Sequence, residues 1–209
     1  MQITLNNTLT YYGALSHYGE DIPLACVGVI SKVNILMLGF TLGISQGCQP
    51  IFSYNYGARQ YSRVREAYRK AIVAASIICC IAFVCFQLFP RPIVALFDPS
   101  GSEEYFQFAE RYFRIYMFMT LANAFQPITA NFFTSIGKAK RGALIALTRQ
   151  VIFLIPLILI FPLFLGIDGV MYAGPIADSA AVVVALALVT REMKRMPHVD
   201  EPVAADTLV

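Results

Sequence analysis

Apolar residues in this chain neither alternate with polar ones nor recur only every third or fourth position; they come in long unbroken runs. Residues 22–46, 71–89, 112–136, 143–165 and 169–190 form five stretches that are nearly free of charge. The first run in chain order, residues 2–16, is shorter and reads as a helix cut short at its start. The hydrocarbon core of a bilayer takes about 20 residues of helix. Each long run therefore predicts a transmembrane helix, and the short one the rest of a sixth. Membrane barrel strands would alternate apolar-out with polar-in, which these runs do not. Helices satisfy their own backbone hydrogen bonds in lipid. The expected fold is an all-α integral membrane protein, a bundle of six transmembrane helices.

The connections carry the charge, and its sign alternates. Arg59, Arg63, Arg65, Arg69 and Lys70 follow the second run, Lys138, Lys140 and Arg141 the fourth, and Arg191, Lys194 and Arg195 the sixth. The intervening connections are acidic, with Glu20 and Asp21, then Asp98, Glu103, Glu104 and Glu110, then Asp168. Thus 11 of the 16 basic residues fall on one side, which the positive-inside rule makes cytoplasmic, with both termini on it. Pro50, Asn55 and Gly57 predict that the second helix ends near residue 46 in a turn. Gly57 or Asn55 would take its unusual dihedrals. The third helix is expected to start near Ser62 with its basic residues facing headgroups.

Composition agrees with this reading. Hydrophobic residues make up 57% and charged residues 14% of the 209, against about a quarter charged in a soluble domain; mean hydropathy is +0.62. Cys26, Cys48, Cys79, Cys80 and Cys85 lie in or beside apolar segments with no ligand or disulfide spacing, so no metal is expected. No basic region precedes an apolar core at the N-terminus, so no cleaved signal peptide is expected. The spans hold no histidine cluster, Ser–Lys pair or paired carboxylates, which counts against an enzyme.

Apart from Arg114 near the start of residues 112–136, three charged residues fall inside the runs. At about 1.5 Å per residue, Lys32 and Asp178 lie roughly 15 Å deep and Arg149 about 10 Å from the basic end. A charge there costs at least about 2.5–3.5 kcal/mol, so all three should face the bundle interior or a wet cavity and pair. Asp178 is a candidate proton or cation relay with Arg149 or Lys32 as partner, or one half of a buried pair that orients two helices. Asn34, Met37, Asn123, Gln126 and Asn131 are candidates for a cavity lining, with Thr129 beside them. Gln126-Pro127, Pro156, Pro162 and Pro175 are expected to interrupt their helices and free carbonyls. Met117, Phe118, Met119, Phe125, Phe132 and Phe133 could add an adaptable apolar wall.

The string GISQGCQPIFSYNYGARQYSRV, residues 43–64, resembles the MATE (multidrug and toxin extrusion) transporter family. Gln46, Gly47, Gln49, Pro50, Asn55, Tyr56, Gly57 and Ala58 match its pattern at the end of the eighth helix. Residues 128–150 are similar to the family's tenth and eleventh helices. Residues 166–181 are similar to the twelfth, especially in the MepA-like branch. The resemblance implies one lobe of a twelve-helix transporter, in which two six-helix lobes face a central cavity. Residues 1–195 would be the C-terminal lobe with its first helix truncated, and residues 196–209 a polar cytoplasmic tail. The implied function is secondary active export of drugs or organic cations by H⁺ or Na⁺ antiport across the cell inner membrane, as a half or truncated chain. No cofactor beyond the coupling ion is implied. The partners would be lipophilic or cationic small molecules, membrane lipids, and a missing N-terminal lobe or second copy, with no nucleic acid. A lipid-linked oligosaccharide flippase of the same superfamily and a non-transporting structural fragment are the alternatives. The family's sodium carboxylates on the seventh and tenth helices have no match here: residues 2–16 and 112–136 contain none.

Overall fold

The computed structural model describes residues 2–19, 21–99, 101–197 and 200. Glu20, His198 and residues 201–209 of the tail lie outside them. Among the described residues are nine α-helices: α1 (Gln2–Ala14), α2 (Asp21–Gly57), α3 (Tyr61–Leu88), α4 (Pro90–Phe97), α5 (Glu103–Tyr116), α6 (Ala122–Ser135), α7 (Ala139–Leu147), α8 (Ile155–Leu165) and α9 (Ile167–Arg195). A 3-10 turn, Met117–Met119, links α5 to α6, and a π-helical segment, Thr148–Leu154, links α7 to α8. The six expected spans therefore appear as six rods: α1, α2, α3, α5 with α6, α7 with α8, and α9. Four of these, Asp21–Gly57, Tyr61–Leu88, Ala139–Leu165 and Ile167–Arg195, are long and apolar enough to cross a membrane.

Side chains tie the connections into two ends. At one end, Lys138 and Arg141 both bind Glu192 near the end of α9. Arg65 of α3 donates to the carbonyls of Met196 and Pro197 at 2.8 and 2.9 Å. At the other end, His17 meets Glu104 at 3.4 Å, Arg91 meets Glu103 at 2.5 Å, and Arg111 meets Asp168 at 3.5 Å. The three basic connections thus share one end of the bundle and the acidic ones the other, as the charge alternation requires.

The core is aromatic toward the basic end. Phe132 lies edge-on to Phe52 at 5.4 Å and beside Tyr68 at 5.0 Å, and the Tyr68 and Thr129 hydroxyls share a hydrogen bond of 2.7 Å. This cluster joins α2, α3 and α6 and corrects the expectation that α2 stops near residue 46. The helix runs on through Pro50 to Gly57, because Phe52, fully buried, and Asn55 anchor its last turns. Pro50 deletes only the bond to the Gln46 carbonyl, and both residues lie on the exposed side. Gly57 remains helical; Arg59 takes the left-handed conformation instead, at φ 56°. Gln60 N–H bonds the Asn55 carbonyl and Arg59 N–H that of Tyr56, a Schellman cap with arginine where glycine is usual. The α6 cap has the same bonds around Gly137, at φ 78°.

Prolines interrupt fewer helices than expected. Pro162 and Pro175 lie inside unbroken helices. The break in the fourth rod falls at Met117–Leu121, ahead of Pro127. Pro156 sits at the start of α8, directly after the π segment.

Candidate functional site

Arg149 lies in the π segment, which shifts the register of the backbone ladder by one residue relative to an α-helix. Pro156 ahead of it has no N–H to return to the Ile152 carbonyl. Arg149 thereby reaches Asp178 on α9. Its Nε donates to Oδ1 and its Nη2 to Oδ2 at 3.3 Å. The side chains are 12% and 9% exposed. Nη1 has no protein partner among the described residues. Tyr116 stands beside both charges. Gly174 makes room for it: a Cβ there would meet the Tyr116 ring at 2.7 Å.

Arg149, but not Asp178, borders a cavity of about 280 Å³, lined by Leu5, Ser31, Asn34, Tyr116, Arg149 and Gln150, with Ile35, Leu38 and Leu154. Four rods, α1, α2, α5–α6 and α7–α8, contribute to it. A guanidinium–carboxylate fork is net neutral and holds each ion in a medium that would expel it alone. Losing the charge on either partner would leave the other exposed to that medium beside a polar opening.

Of the expected lining, Asn34 alone reaches this cavity. Asn123 Nδ2 donates to Asn34 Oδ1 at 3.1 Å, Gln126 to the Ile145 carbonyl at 3.0 Å, and Asn131 to Ser45 Oγ at 2.7 Å. These residues lock α6 to its neighbours because an amide inside an apolar bundle is satisfied most cheaply by an adjacent helix. Met37, Met117, Phe132 and Phe133 are buried core, while Phe118 is exposed. Lys32 departs from expectation. It is exposed on α2 and makes no ion pair among the described residues; the geometry gives Asp178 to Arg149. The family-motif positions Gln46, Gly47, Gln49 and Pro50 are exposed on α2, and Asn55 is buried, its Nδ2 donating to the Ile51 carbonyl at 2.8 Å. Sequence reasoning missed Glu192, 1% exposed between two cations. Its one signal was a lone acid among the basic residues that close the sixth run.

The family model for MatE matches residues 7–160. The chain belongs to the MatE family. Multidrug export protein MepA of Staphylococcus aureus is 22% identical to this MatE chain over 175 residues, 84% of the chain and 38% of MepA. The outward-facing structure of a multidrug resistance MATE transporter of the MOP superfamily overlays 93% of the chain at TM-score 0.83 and 19% identity. The MATE multidrug transporter DinF-BH is 32% identical and overlays 92% at TM-score 0.77. The chain covers 42% and 41% of those two structures, so it spans about two fifths of the length of the relatives it matches. This MatE chain is therefore an all-helical lobe of a membrane transporter fold, with no enzyme among these relatives.

Proposed function

We propose that this lobe belongs to a secondary active exporter of lipophilic or cationic drug-like molecules, driven by proton antiport, in the cell inner membrane with the basic end cytoplasmic. The observation that carries the reading is the buried Arg149–Asp178 pair, whose Arg149 sits on a π segment and borders a cavity shared with Ser31, Asn34 and Gln150. Both oxygens of Asp178 are committed to Arg149. That favours H⁺ over Na⁺, since a proton needs one oxygen and a sodium ion several. A proton on Asp178 would cancel the attraction, release the Arg149 fork into the cavity, and loosen α7–α8 from α9. The names of the relatives, a multidrug export protein and multidrug transporters, support the substrate class. A complementary lobe would complete the central cavity.

The test is proton-driven ethidium transport in inverted membrane vesicles from cells expressing the chain. Asp178→Asn with Arg149→Gln removes both charges, folds, and loses transport driven by the proton gradient. Undiminished proton-driven transport by that double variant would overturn the coupling role.

A further inference from the structure

The cavity beside Arg149 holds more hydrogen-bond donors than the protein uses. Ser31, Asn34, Tyr116, Arg149 and Gln150 all line it. Asn34 gives its oxygen to Asn123, which leaves its Nδ2 as a donor. Arg149 serves Asp178 through Nε and Nη2, which leaves Nη1. Among the described residues no protein group pairs with that Nδ2, with Nη1, or with the polar ends of Ser31, Tyr116 and Gln150. Polar groups at membrane depth are costly to leave unsatisfied, so donors gathered around one space point to an acceptor that enters it.

The lining also sets the sign and the size of that acceptor. Among the described residues Arg149 is the only charged group that borders the cavity, and Asp178 does not. An entering cation would meet the free edge of a guanidinium and no carboxylate. An entering carboxylate would meet N–H groups in the planar geometry that suits its two oxygens. A guanidinium carries five N–H groups, so Arg149 can serve this second carboxylate while it keeps Asp178. The remaining lining is apolar: Leu5, Ile35, Leu38 and Leu154. A buried water needs about two to four polar partners, and these side chains offer none. The volume, about 280 Å³, is several times the roughly 30 Å³ share of one water and close to the lower end of ligand pockets, about 300 Å³.

We propose that this cavity binds a lipophilic monocarboxylate. Its carboxylate sits on Arg149 Nη1 within reach of the Asn34 and Gln150 amides, and its apolar body rests on Leu5, Ile35, Leu38 and Leu154. The inference goes beyond the exporter reading. It adds an anionic ligand to the substrate class named there, and binding alone decides it.

The test puts a thiol in the apolar wall, Leu38→Cys, with Cys48, Cys80 and Cys85 changed to Ser, in membranes from cells that carry the chain natively. Maleimide labelling of that thiol is timed against three probes with one apolar body: 2-naphthoate, the neutral 2-naphthamide and the cation 2-naphthylmethylammonium. We expect 2-naphthoate to half-protect the thiol at a concentration at least about tenfold below the amide, as a charge-assisted bond to Arg149 requires, and the cation to protect least. Arg149→Gln with Asp178→Asn should bring 2-naphthoate level with the amide. Gln150→Glu, at an exposed position where folding is not at stake, should weaken 2-naphthoate and strengthen the cation. Protection by the cation or the amide equal to that by 2-naphthoate would overturn the proposal. So would protection by none of them, which would mean a cavity filled by water alone, or a ranking unchanged by Gln150→Glu. Ethidium export separates the two readings: export without 2-naphthoate protection removes this site and leaves the exporter, and protection without export does the reverse.

Discussion

Asp178→Asn isolates the energetics of the site. The substitution keeps the shape of the side chain and removes its charge. Arg149, 12% exposed, then lies in the bundle with no counter-ion. Breaking a buried pair from one side costs about 3–5 kcal/mol, most of it the stranded charge. For a domain of 150–250 residues each kcal/mol moves the melting temperature by about 2–4 °C, so the single variant should melt about 6–20 °C lower. Adding Arg149→Gln removes the stranded charge and should recover at least half of that loss. The chain has no tryptophan, so the assay uses thiols. Cys26 and Cys79 are buried at 1% and 0% exposure and react with a fluorogenic maleimide on unfolding, once Cys48, Cys80 and Cys85 are changed to Ser. A single variant that melts within about 2 °C of its parent, or a double variant no more stable than the single, would refute the reasoning.

Three further outcomes follow from the same geometry. Arg59→Gly places glycine at a left-handed cap position and should raise the melting temperature by about 1–4 °C; a decrease would show that the arginine side chain matters more than the backbone. Gly174→Val drives a branched side chain into the Tyr116 ring and should cost about 1–3 kcal/mol, read in the thiol melt, with part recovered when Tyr116→Ala is added. Asp200 accepts hydrogen bonds from the Ser62 N–H and hydroxyl, which hold its carboxyl below the usual range. A lowered folded-state value means that this tether is present above the usual carboxylate range and is lost as pH falls through the folded value. Proteolysis of the tail should therefore quicken at low pH in the parent, and already be fast at neutral pH in Asp200→Ala.

Run lengths and the sign of each connection are local properties that tertiary packing cannot reverse. They made six rods, a basic end and an acidic end legible along the chain, and the 43–64 string carried the family. What the sequence left open is decided between elements. Arg149, on the helix before α9, was the better candidate for Asp178 and Lys32 the alternative; the bundle pairs the first with Asp178 and leaves the second on its exposed side. Pro50 reads as a stop in one dimension, but burial of Phe52 and Asn55 outweighs one lost backbone bond. Gly57 or Asn55 was expected to take the unusual dihedrals of the turn, yet the helix contains both and leaves the left-handed position to Arg59. Asn123, Gln126 and Asn131 looked free to line a cavity, and adjacent helices took their hydrogen bonds. Glu192 was missed along the chain, and only the meeting of the α6–α7 turn with the end of α9 buries it. Except at the Arg59 cap, whose bonds are local, the deciding contact joins residues distant in sequence, and no short window along the chain contains both partners.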